Sequence, residues 1–149
     1  MNRSHLVGLG TVALLALSGC GSTTQSADPA SNSDVSGRTY VSHSVDINGN
    51  PTALVRSTNL QLSFTDDGIS ANAGCNSMSG RATIDDDTLV ISGGLAMTEM
   101  GCESARMDQD QWFADLLTAK PTLSVDGDSL TLDSDGTVIV MTTQPSRVS

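Results

Sequence analysis

The stretch Ala71–Cys102, ANAGCNSMSGRATIDDDTLVISGGLAMTEMGC, decides the fold. Small and apolar residues alternate with polar ones, as strands require, and turn-forming residues punctuate the run. Gly74-Cys75-Asn76 reads as a corner where backbones pass closely, because glycine offers clearances that no other residue has. Ala82–Ile84 and Leu89–Ile91 flank the acidic turn Asp85-Asp86-Asp87 and are expected to form a hairpin. Gly93-Gly94 breaks the following run. Leu95–Met100 is then a short strand or loop that leads to Gly101-Cys102.

Upstream, Ile69–Ala73 is expected to return from the alternating strand Leu60–Phe64 through a tight turn at Asp67-Gly68. The β-rich run Arg38–Val45 supplies a first strand, closed by the turn signal Asn48-Gly49-Asn50-Pro51. Downstream, Glu103–Ala119 is the one convincing helix. Ala105, Gln109, Trp112, Phe113, Leu116 and Leu117 make its apolar stripe. Ser104 or the residue before it is the expected cap, with Glu103, Asp108 and Asp110 near the positive end of the dipole, and Pro121 stops the helix. Three short strands follow, Thr122–Val125, Leu130–Leu132 and Val138–Met141, joined by Asp-Gly turns. The order implies an α+β domain, mostly antiparallel: a curved sheet or partly open barrel of short strands packed on one α-helix at about residues 103–119.

The amino-terminal region is of another kind. Residues 1–19 read as an export signal, with Arg3 ahead of an apolar run from Leu6 to Leu17 that is too short to span a bilayer. Leu17-Ser18-Gly19-Cys20 resembles a bacterial lipobox. Cys20 is therefore the expected lipidation site, and its thiol would carry the acyl chains that anchor the mature chain. Residues 20–36 are rich in Ser, Thr, Asp and Pro, and are expected to be a flexible linker. The domain is assigned to 37–142 and a frayed tail to 143–149. Acids outnumber bases 17 to 7, for a net charge of −10. That sign argues against nucleic acid, which needs a basic footprint, and against a polybasic membrane contact.

Four segments in order carry a family resemblance: Gly74–Gly80, Thr98–Cys102, the helix with Gln111-Trp112-Phe113, and Leu123–Leu132 with its central Asp126-Gly127-Asp128. Together they resemble the META domain, also called HslJ-like, over about residues 37–142. Tyr40 departs from the pattern, since many members carry Trp soon after the opening glycine. The resemblance implies a small β-rich domain with one helix, often on an exported lipoprotein. Some members are linked to heat shock, antibiotic tolerance, motility or secretion. It implies no catalytic residues.

Behind an export signal, Cys75 and Cys102 are read first as a disulfide. They close a loop of 28 residues counting both ends, worth about 3.5 kcal/mol by chain entropy. Two free buried thiols, or a reactive Cys102 at the helix start, are the alternatives. Asp126-x-Asp128 and Asp133-x-Asp135-Gly136 echo calcium-loop fragments, but the further ligands and closing Glu are missing. His43 stands alone, without a second ligand for a metal. Serine is plentiful, but there is no Gly-x-Ser-x-Gly elbow, P-loop or dinucleotide fingerprint.

The expectation is thus a monomeric, non-enzymatic lipoprotein without cofactor or metal. It would be anchored through Cys20 on the extracytoplasmic side of a membrane and would bind an envelope protein or ligand. The alternative is a small-ligand carrier or an enzyme that uses the crevice between sheet and helix.

Overall fold

Backbone conformation at the turns sets the strand register. The computed structural model describes residues 26–144. Asn48 and Gly49 (φ 53° and 79°), Asp86 and Asp87 (44° and 68°), and Asp135 and Gly136 (45° and 81°) all lie in the left-handed region. Asn, Asp and Gly tolerate that region best, so the chain reverses tightly at these points. The long strands are β2 (Thr39–Ile47), β4 (Gln61–Thr65), β5 (Gly68–Asn72), β6 (Ser77–Asp85), β7 (Thr88–Met97), β8 (Thr122–Asp126), β9 (Ser129–Ser134) and β10 (Thr137–Thr143). Two-residue strands β1 (Asp28–Pro29) and β3 (Asn50–Pro51) complete the ten. Helix α1 (Asn32–Val35) is a single turn, and α2 (Ser104–Thr118) is the long helix.

Every pairing is antiparallel, in the order β1-β8-β7-β6-β5-β4-β2-β10-β9. β3 pairs with β2, and β9 pairs again with β8, so the sheet curls into a ring. Its seam is thin. β7 meets β8 at the single pair Thr88↔Thr122, reinforced by Leu89 N–H to Pro121 O (2.9 Å) and Leu123 N–H to Asp87 O (2.7 Å). Inward positions of alternating strands fill the interior. Tyr40, Leu60, Leu62, Leu130, Leu132, Ile139 and Met141 are all 0 % exposed. Tyr40 meets Phe64 edge-on, with centroids 6.1 Å apart. The Tyr40 hydroxyl finds no partner; burial pushes its pKa above the ordinary range, partly offset by the Arg38 charge.

The fold is the expected α+β, mostly antiparallel, with one long helix. Four local readings need correction. The described part of the 20–36 linker is folded. β1 pairs with β8, Ala30 and Val35 are 3 % and 1 % exposed, and Ala30 N–H bonds Leu123 O at 3.0 Å. Two side chains explain this. Val35 has a core to enter. The Asn32 amide exchanges two bonds with the Ile84 backbone, at 2.9 and 3.0 Å, as a neighbouring strand would. Asp34 accepts bonds from the Ser31 hydroxyl and N–H, which hold its carboxyl below the usual range.

The second correction is the β4–β5 turn, which falls on Asp66-Asp67; Gly68 is already paired with Thr65. Gly68 is there for clearance, since a Cβ would sit 2.1 Å from Gly80 O. Third, Gly93-Gly94 does not end the strand. β7 continues through it as a bulge, with Ser79↔Ala96 on one side and Arg81↔Ser92 on the other. Fourth, Ala105 is exposed and Asp110 lies in the interior, while the cap falls on Glu103, the residue before Ser104, as expected, though without a side-chain bond. At the far end β10 runs to Thr143. Residues 1–25, including Cys20 and the export signal, and residues 145–149 lie outside the described residues. Among the described residues no helix is long and apolar enough to cross a membrane.

Candidate functional site

The corner at Gly74–Asn76 and the second turn of α2 are built as one unit. Helical spacing places Asp110, Phe113 and Leu117 on one face, next to Gln109. Gln109 is 8 % and Asp110 0 % exposed, so both polar groups need partners. Gln109 Oε1 accepts Val55 N–H at 2.7 Å, and its Nε2 donates to Thr58 Oγ1 at 2.9 Å and to Ala73 O. The Asp110 carboxyl accepts Asn76 N–H at 2.7 Å, Asn76 Nδ2–H at 3.1 Å and Cys75 N–H at 3.3 Å.

Asn76 relays this outward. Its Oδ1 accepts Met100 N–H at 2.7 Å and Thr98 Oγ1–H at 3.0 Å. The Cys75–Cys102 disulfide closes the same corner, with Cα atoms 6.2 Å apart. Gly74 takes φ +125°, and a Cβ there would come within 2.7 Å of Thr58 Cγ2. The 55–58 loop and the Ala73–Asn76 corner are thus gathered onto two side chains of α2, the 98–100 segment is held by Asn76, and the whole is stapled at Cys102, two residues before the helix starts.

Chemically, these groups hold backbone. Each polar atom of Gln109 and Asp110 named above is already engaged by N–H or C=O groups of the chain. Sequence reasoning identified the cysteine pair and the corner but missed Asp110, which it placed among the dipole charges. The available signal was an acid three and seven residues before Phe113 and Leu117, on the buried stripe.

The other candidates lie apart. His43 is exposed on β2, and Glu99 and Glu103 are exposed on either side of Cys102. Asp126 and Asp128 flank the β8–β9 turn, and Asp133 and Asp135 lie at the β9–β10 turn. Among the described residues no group of three or more His, Cys, Asp or Glu is placed to hold a metal ion. A cleft of about 420 Å³ lies between α1 and the β4–β5 and β6–β7 hairpins, lined by Asn32, Phe64, Asp66, Ile84 and Leu89 among others. The crevice between α2 and the β2–β3 hairpin is smaller, about 280 Å³, and mostly apolar.

A family model described as the META domain matches residues 33–146. An NMR structure of a protein aligns with 22 % identity and a TM-score of 0.58, covering 76 % of this chain and 94 % of that one. An NMR structure of a protein from Burkholderia xenovorans aligns with 16 % identity and a TM-score of 0.65, covering 93 % of this chain and 99 % of that one. At these identities the likeness is one of fold. No curated protein matches.

Proposed function

The chain belongs to the META domain family, and from that premise we propose that it is a membrane-anchored, extracytoplasmic binding module and not an enzyme. The observation that carries the second half is the use made of Gln109, Asp110 and Asn76. The polar side chains that converge in the interior are spent on main-chain groups and on one another, so in this reading the family's signature segments serve architecture and leave recognition to the surface. The anchor rests on the sequence Leu17-Ser18-Gly19-Cys20 behind an apolar run. A role in stress or antibiotic tolerance comes from the family resemblance alone.

Cell fractionation tests the anchor. The protein should partition with membranes, and Cys20→Ala should release it; retention of the variant in membranes would sink the lipobox reading. Crosslinking in intact cells tests the module, and recovery of a bound metabolite with no protein partner would favour the alternative. That alternative, carriage of a small apolar ligand, has one observation on its side: the open crevice beside Trp112.

A further inference from the structure

We propose that the face centred on Trp112 docks a basic, partly apolar peptide segment of a partner protein. Trp112 is half-buried, and its indole is shared by two shallow grooves. The first, of about 280 Å³, is lined by Val45, Ile47 and Leu54, with Asp108 beside them. The second, of about 220 Å³, lies between Leu116 and the β9–β10 turn and is lined also by Asp115 and Asp135. All three aspartates are exposed. Asp115 accepts one bond from Gln111 Nε2 at 2.7 Å through Oδ1, which leaves Oδ2 for a further donor. Among the described residues, neither groove is lined by a Lys or Arg.

The charge selects the occupant. An indole face with carboxylates around it attracts a guanidinium or ammonium, which can sit over the ring while donating to the acids. The apolar floor of the first groove then takes a neighbouring aliphatic side chain. Two open grooves that meet at one indole suit an extended segment with residues on both sides, whereas a small ligand is normally enclosed. Nucleic acid and anionic lipid carry the wrong sign for this face. The inference names a partner class for the binding-module reading and rests on that reading for its setting. Its test is separate from the anchor, because peptide binding is measured on the isolated chain whether or not Cys20 is lipidated.

Trp112 is the chain's single tryptophan, so its fluorescence reports on this face directly. The full chain is titrated with a short synthetic peptide of alternating Arg and Leu, and with its Glu–Leu counterpart. Expected are a saturable change with the Arg peptide, none with the Glu peptide, and weaker binding as salt rises from about 0.05 to 0.5 M. Asp115→Asn with Asp135→Asn should weaken binding about fivefold, the worth of two exposed ion pairs. Asp85→Asn with Asp86→Asn removes the same charge outside both grooves and should leave affinity within about twofold. Thermal melts confirm that both variants fold. Four results would overturn the proposal: no saturable change, a salt-indifferent response, equal losses in the two double variants, or a fluorescence change on dilution without peptide, which would mark the face as a self-contact.

Discussion

Replacing Asp110 by Ala removes the acceptor for three N–H groups at a site with 0 % exposure. The Asn76 N–H and Nδ2–H are buried, and each would lose its bond at a cost of about 1–3 kcal/mol. The Cys75 bond is longer, at 3.3 Å, and Cys75 is half-buried, so water can replace it. The expected loss is about 3–5 kcal/mol, with a small cavity contribution included. Against a total stability of about 5–15 kcal/mol, that is a large share. For a domain of this size it lowers the melting temperature by about 10–20 °C. The assay is thermal unfolding by circular dichroism with the disulfide intact, read beside Asp108→Ala and Asp115→Ala. Those two acids lie on the same helix but are exposed, and each should cost under about 0.5 kcal/mol. If Asp110→Ala falls within about 1 kcal/mol of the exposed controls, the buried acceptor is not what organises the corner.

Cys102→Ser should cost about 3.5 kcal/mol by loop entropy, and intact mass before and after reduction and alkylation should show one bridge in the parent chain and none in the variant. Gly68→Ala should destabilise by well over the ~1 kcal/mol of an ordinary glycine substitution, since the added Cβ meets Gly80 O; an unchanged denaturant midpoint would refute the close approach. Val35→Ala should cost about 1–2 kcal/mol and raise amide exchange of residues 28–36 first; uniform exchange across the ring would show that the segment does not dock as a unit. Asp34 is held below its ordinary range by the Ser31 bonds, so its contribution is complete above the unfolded carboxylate value and is lost as pH falls through the folded one. Exchange from residues 28–36 should therefore rise below about pH 4, and Asp34→Asn should flatten that dependence.

The elements of the ring were readable because alternation and turn chemistry are local signals. Leu60–Phe64, the Asp85–Asp87 hairpin and the last three strands stand where the pattern puts them. What escaped was set by distant partners. Residues 28–36 look unfoldable by composition, yet Val35, the Asn32 amide and the β1 pairing dock them, because the core position and the backbone groups they use are supplied by other strands. Asp110 looked like a surface charge because an acid on a helix is usually solvated; its three donors come from a corner 34 and 35 residues away. Gly68 looked like a turn residue because its clearance role depends on β6. The cysteine pair was legible from the expected compartment, and its geometry then follows from the corner it closes.

The two short strands have a consequence for how the folded chain meets its neighbours. A sheet with a long open edge is a template for pairing with the next unfolded or partly folded chain. Here the ring turns nearly every strand into an interior one, and β1 covers Ser124 and Val125 where β8 outruns β7. Among the described residues β7 keeps an outer edge beyond Thr88, while the short outer strands β1 and β3, two residues each, both end in a proline, Pro29 and Pro51. Proline has no N–H to offer an incoming strand. The docked segment therefore covers the end of β8 that β7 leaves open, as well as adding core contacts. A chain begun at Gly37 would lose Ala30 and Val35 from its core together with that cover.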